Sequence, residues 1–209
     1  MRSCAVPPWT LLVCAVAALA QFVPAIGADL IYDRFAIESG QWWRLLSGSL
    51  VHLSMRHCVY DGLALLVVGS VAEQRGGRDL GILYLVAGLA VGLAIFLWEP
   101  QITTFGGLSG IVTATLVYLC LTGCFEGGKL RWLWGGALLL AAVKLALEFW
   151  LRASWLVASG DEHFVAVPAS HLAGAGMAVL LYAVKSSMLR QMDATSGLRG
   201  IRRLRTGGV

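Results

Sequence analysis

Three groups of residues have types and spacings suited to chemistry. Ser109 lies in Thr104-Phe105-Gly106-Gly107-Leu108-Ser109-Gly110-Ile111, where flanking glycines let another helix or a substrate backbone approach the hydroxyl. A helix opening at this serine leaves backbone N–H groups unpaired beside it, and with the positive helix end these can hold a developing oxyanion. His171 lies in Pro168-Ala169-Ser170-His171-Leu172-Ala173-Gly174. Histidine is the commonest base for activating a serine hydroxyl near neutral pH. The small residues after it, Gly174 and Ala178, permit close helix packing. In the third group, Val51 to Asp61, His57 and Asp61 are i and i+4 on one helical face, with His52 pointing elsewhere. A carboxylate one turn from an imidazole can fix its tautomer.

Each group has a plainer alternative. Gly-x-Ser-Gly is also a packing motif of membrane helices, and His171 can simply bond a carbonyl. His57 and Asp61 can ligate a metal, but no His-Glu-x-x-His helix or clear third ligand accompanies them, so no metal is expected. Lys144 and Glu148 form a further i, i+4 pair, and inside an apolar helix the bland expectation is a self-satisfied ion pair facing the bundle.

The elements that must position these residues are membrane helices. The chain of 209 residues is 58% hydrophobic and 13% charged, against roughly 25% charged for soluble domains. Its mean hydropathy is +0.75, and its apolar residues fall in long runs. A bilayer crossing needs about 20 such residues. Six segments qualify: 9–26, 50–72, 80–98, 108–123, 132–151 and 169–188, separated by turn-rich connectors. Basic residues including Arg2, Arg75, Arg78, Lys129, Arg131, Lys185 and Arg190 fall on one side of such a bundle. That side is expected to be cytoplasmic. Acidic residues Asp29, Asp33, Glu38, Glu99, Asp161 and Glu162 fall on the other. The even segments then run from outside to inside, which brings Ser109, His171 and the His52–Asp61 group to one depth in the outer half of the bilayer. Lys144 and Glu148, late in the fifth segment, arrive near that depth too. A cleaved leader ending near Ala17-Ala18-Leu19-Ala20 is the competing view of the first run, but that run continues without a polar spacer. The five cysteines, mostly within apolar runs, suggest no disulfide framework and are expected to be packing residues. No basic patch interleaved with aromatics suggests nucleic acid.

Taken together, these residues resemble the rhomboid family of intramembrane serine proteases. Trp43-Arg44 resembles the Trp-Arg motif of the first loop. His52 and His57 stand where rhomboids place two histidines five apart. Gly107-Leu108-Ser109-Gly110 resembles the Gly-x-Ser-Gly nucleophile motif, and His171 to Gly174 the His-x-x-Gly of the last helix. The resemblance implies an all-α, six-helix membrane bundle over residues 1–188, followed by a basic cytoplasmic tail, 189–209, expected to be flexible. It implies a Ser109–His171 dyad without a third acid, and an oxyanion site at His57, Gly107 and the Ser109 N–H, with Asp61 beside it. It also implies membrane-anchored protein substrates, no cofactor, and a place in the bacterial inner membrane with the site opening to the periplasm.

Lys144 and Glu148 lie on the helix past which rhomboid substrates are thought to enter, so they are candidates for substrate contact. Asp61 replaces the usual Asn, which leaves it either protonated or turned toward His57. Thr113 replaces an aromatic that often stacks on the histidine. The short chain and Asp61 resemble the rhombosortase subfamily, whose substrates are thought to end in a GlyGly-CTERM signal: a glycine-rich stretch, one transmembrane helix and a short basic tail. The alternatives are a catalytically inactive relative that binds membrane clients, and a small transporter using the His and Asp residues as a path.

Overall fold

The computed structural model describes residues 6–75, 79–125, 128–151 and 167–206, with side chains through Met192. Arg2, Arg78, Asp161 and Glu162, and Cys4 among the five cysteines, lie outside the described residues.

The first apolar run is a bent pair of helices. α1 (Pro8–Phe22) stops at Val23, and α2 (Pro24–Leu30) leaves it at 112°. Pro24 causes the break, because it has no N–H for the preceding turn and its ring collides with that turn. The apolar run expected over 9–26 thus runs through both helices of the bent pair. The chain then makes a short strand β1 (Tyr32–Asp33), a short helix α3 (Arg34–Glu38) capped by Asp33 Oδ1 at 3.0 Å from Ala36 N, a turn of helix α4 (Arg44–Ser47) and a 3₁₀ turn (Gly48–Leu50). The long helices follow: α5 (Met55–Gln74), α6 (Leu80–Trp98), then strand β2 (Thr104–Phe105), α7 (Ser109–Phe125), α8 (Arg131–Leu151) and α9 (Pro168–Thr206).

Among the described residues four helices, α5, α6, α8 and α9 as far as Met192, are long and apolar enough to cross a bilayer, and the α1–α2 pair makes up to five. α7 is apolar but has 17 residues. The chain is therefore a multi-pass helical membrane protein. The apolar part of α9 runs to Met192, one turn beyond the expected 188, and the helix continues past it. No proline interrupts the sequence from Ala169 onward, and the backbone stays helical to Thr206.

Polar tethers show how the helices alternate. Glu73, near the end of α5, accepts from the N–H and hydroxyl of Thr10, both at 2.7 Å, and so caps the start of α1. Lys185, late in α9, pairs with Asp79 at 2.6 Å, just before α6, and donates to the Tyr118 hydroxyl at 3.2 Å, late in α7. The start of α8 packs on the end of α7, Trp134 against Gly123. These contacts gather one set of helix ends. The opposite end of the bundle thus collects the starts of α5, α7 and α9 with the ends of α6 and α8.

Between the helices, Leu65, Leu83, Ala87, Leu108, Ile111, Ala114 and Ala178 form a dry core. Outward faces are apolar as well: Leu139, Leu140 and Phe149 are exposed, and Trp150 is 79% exposed. In water such a surface would be an aggregation liability, whereas lipid chains cover it without penalty.

The segment between α2 and α5 is pinned by two arginines. Arg44 is buried and donates to Gln41 Oε1 at 2.7 Å and to the carbonyls of Ala28 and Ile31 at 2.9 and 2.8 Å. Trp43 Nε1 donates to the Asp29 carbonyl at 3.2 Å. Arg34 reaches across to the last turn of α6, donating to the carbonyls of Ile95, Phe96, Glu99 and Ile102 at 3.0–3.2 Å. It thereby satisfies carbonyls that a helix end leaves orphaned. β1 pairs antiparallel with β2, Tyr32 opposite Phe105 and Asp33 opposite Thr104. This clip fixes the strand that runs directly into Gly106, Gly107 and Ser109.

Candidate active site

At the gathered end of α5, α7, α8 and α9, the loop before α7 lies against two imidazoles. Ser54 caps α5, its hydroxyl accepting from His57 N at 3.3 Å, so helix geometry begins only at Met55. His52 therefore precedes the helix, and the i, i+5 projection that turned it away does not apply. Its ring instead meets His57 edge to face, centroids 5.1 Å apart. His52 Nε2 accepts from the Leu108 N–H at 3.3 Å, which anchors the loop one residue before Ser109. Asp61 is turned toward both rings, with Oδ2 at 3.0 Å from His57 Nε2 and 3.4 Å from His52 Nε2. The nearer histidine is one helical turn back along α5.

Gly107 has φ of +150°, and a Cβ built there would stand 2.7 Å from His57 Cε1. A glycine is thus required twice over, by the backbone and by the imidazole lying against it. The next helical element opens at Ser109, which is half-buried, its carbonyl accepting from the Thr113 hydroxyl at 2.8 Å. Thr113, in place of a stacking aromatic, spends its polar group on its own helix.

α7 and α9 cross at their first turns. A Cβ on Gly110 would stand 2.9 Å from the Ser170 carbonyl oxygen, and one on Gly174 would collide with the Gly110 carbonyl. Backbones meet this closely only through glycine. Ser109 and His171 are the immediate chain neighbours of Gly110 and Ser170, so the crossing sets them to either side of one contact. Ser170 ties its own hydroxyl to the Val167 carbonyl at 2.7 Å, fixing the turn that opens α9.

His171 is buried, and its Nδ1 lies 2.8 Å from Glu148 Oε2. The other oxygen, Oε1, accepts from Lys144 Nζ at 2.7 Å. Sequence reasoning placed Glu148 at the right depth and in a pair with Lys144, but missed its contact with His171. The resemblance implies a dyad without an acid, and beside its histidine stands the Glu148 carboxylate, 2.8 Å away. Glu148 is 2% exposed and pairs with Lys144, as the bland expectation of an inward-facing ion pair has it. The Lys144 side chain, 35% exposed, is committed to the same carboxylate.

The remaining sequence-picked residues serve the scaffold: Trp43 and Arg44 hold the segment between α2 and α5, and Gly174 makes the crossing. Arg34 was missed, and its only signal was a lone arginine between acidic neighbours in an outer loop. Among the described residues no group of three or more His, Cys, Asp or Glu side chains is disposed to hold a metal ion. Cys14, Cys58, Cys120 and Cys124 are free thiols.

The bundle and its polar end define a multi-pass membrane protein that gathers serine, histidine and carboxylate groups at one level. The Rhomboid domain family matches residues 39–188, and the chain belongs to that family. A curated relative, the rhomboid protease GluP of Bacillus subtilis (strain 168), is 34% identical over 95 residues. That match covers 43% of this chain and 18% of the relative's length.

Proposed function

We propose that the chain is an intramembrane serine endopeptidase in which Ser109 is the nucleophile and His171 the general base. The observation that supports it is the glycine-mediated crossing of α7 and α9, where Ser109 and His171 are chain neighbours of the touching residues Gly110 and Ser170. Ser109 Oγ attacks the carbonyl carbon of a scissile peptide while its proton passes to His171 Nε2. The oxyanion forms against the N–H groups at the start of α7 and the His57 imidazole, and a preorganised donor there contributes about 100- to 1000-fold. Collapse breaks the C–N bond, and His171 gives its proton to the leaving amine. Water then attacks the acyl-enzyme, with His171 again taking and returning a proton, to free the carboxylate product and Ser109.

The six-span arrangement counts the α1–α2 pair as one crossing and α7 as another. Both termini are cytoplasmic, and the site opens on the periplasmic side of a bacterial inner membrane. Basic residues at the α8 start and late in α9 support that orientation. The substrates are membrane-anchored proteins, and Asp61 in place of Asn supports the narrower class with a GlyGly-CTERM tail, as in rhombosortases.

The test uses the full chain in proteoliposomes with two fluorescent fusions, one ending in a glycine-rich stretch, a transmembrane helix and a basic tail, the other in an ordinary transmembrane anchor. Cleavage of either that disappears in Ser109→Ala and His171→Ala is expected. Cleavage of the first fusion alone assigns the narrower class. Cleavage that survives Ser109→Ala overturns the assignment of the nucleophile.

A further inference from the structure

Resting on the Ser109–His171 reading above, we propose that Glu148 is a positioning residue that completes a Ser109–His171–Glu148 triad. α8 turns mostly outward: of its residues Arg131–Leu151, the buried ones are Ala141 and Glu148. A carboxylate is among the costliest side chains to hold in a membrane interior, and it persists there where charge partners hold it. Glu148 has two such partners, Lys144 Nζ at 2.7 Å and His171 Nδ1 at 2.8 Å, each on a different oxygen.

The lysine alone would explain an ion pair on the surface of α8. It does not explain why the carboxylate is turned inward onto the second helix of the proposed dyad. The distance also fixes the chemistry of the ring. An ionised carboxylate only accepts, so the proton of a neutral imidazole must sit on Nδ1. Nε2 then carries the lone pair and is the nitrogen able to take the serine proton. When His171 becomes an imidazolium in the transition state, the carboxylate beside it stabilises the new charge. Lys144 holds the second oxygen of Glu148 at 2.7 Å, which keeps the carboxylate facing the ring.

The experiment measures fluorophosphonate labelling of the purified full chain, resolving the maximal inactivation rate from the concentration giving half that rate. Labelling abolished in Ser109→Ala and slowed in His171→Ala establishes the underlying dyad, and failure there is failure of that dyad rather than of the triad. With the dyad standing, Glu148→Gln is expected to lower the maximal rate by on the order of 100-fold or more, with the half-saturating concentration and the final labelled fraction unchanged. Glu148→Asp, which restores the charge, is expected to recover most of the rate.

The double variant Lys144→Met/Glu148→Gln removes both charges and leaves no unpaired ion in the bundle. It is expected to remain as slow as Glu148→Gln. This variant also keeps the question decidable if the single substitution fails to fold. A double variant that labels at the parental rate, or a Glu148→Gln protein with an unchanged maximal rate, overturns the proposal.

Discussion

Asp61 is a buried carboxyl set between two imidazoles, and the energetics of that cluster are testable one side chain at a time. A hydrogen bond to a charged group contributes about 1.5–3 kcal/mol. Asp61→Leu, which leaves His57 and His52 facing an apolar group, is expected to cost about that much in unfolding measured by denaturant in mild detergent. Asp61→Asn keeps an acceptor and is expected to cost less than half as much, and equal losses in both variants would mean that packing rather than charge holds the cluster. Much of this was legible in the sequence, because the i, i+4 spacing of His57 and Asp61 is local and survives any tertiary arrangement. The part that was not legible is equally specific. His52 was projected onto a helix that had not yet begun, since Ser54 caps α5 only afterward. Glu148 and His171 are 23 residues apart on different helices, and no periodicity connects them.

At the scale of elements, the site depends on two close approaches. The first is the α7–α9 crossing. Gly174→Val would drive a branched side chain into the Gly110 carbonyl, and overpacking of this kind costs about 1–3 kcal/mol. It is expected to reduce proteolysis far more than its thermal destabilisation alone accounts for, because it separates Ser109 from His171. Equal catalytic activity in Gly174→Val would show that the crossing does not set the dyad. The second approach is Gly107 against His57, where positive φ adds to the contact.

Around these, Arg44 and Arg34 act as rivets. Arg44→Ala deletes bonds to Gln41, Ala28 and Ile31, so a loss of at least about 2 kcal/mol is expected by the same denaturant assay. The sequence announced the helices through their apolar runs, yet it did not show the bend at Pro24 or the helical continuation of α9 beyond its apolar part. Hydropathy reports what can sit in lipid. It does not report backbone direction, and polarity after residue 188 says nothing against continued helix.

For the whole molecule, alternation of helix ends is what converts a scattered set of polar residues into one site. The tethers at Glu73–Thr10 and Lys185–Asp79 mark the end away from it. In intact cells, a cysteine-free chain carrying Ser39→Cys is expected to react with a membrane-impermeant maleimide, and one carrying Lys129→Cys only after permeabilisation. The reverse pattern would invert the proposed orientation. Charge asymmetry is the sequence signal for that proposed orientation, since basic residues collect at alternate connectors regardless of how the helices pack.

The central claim is that Ser109 is activated by His171. Its most direct measurement is mass-spectrometric mapping of the fluorophosphonate adduct on the full chain in detergent. The expected result is a single adduct on the peptide containing Ser109, absent from His171→Ala over the same time course. An adduct on another serine, or one on Ser109 that forms equally fast without the imidazole, would contradict it.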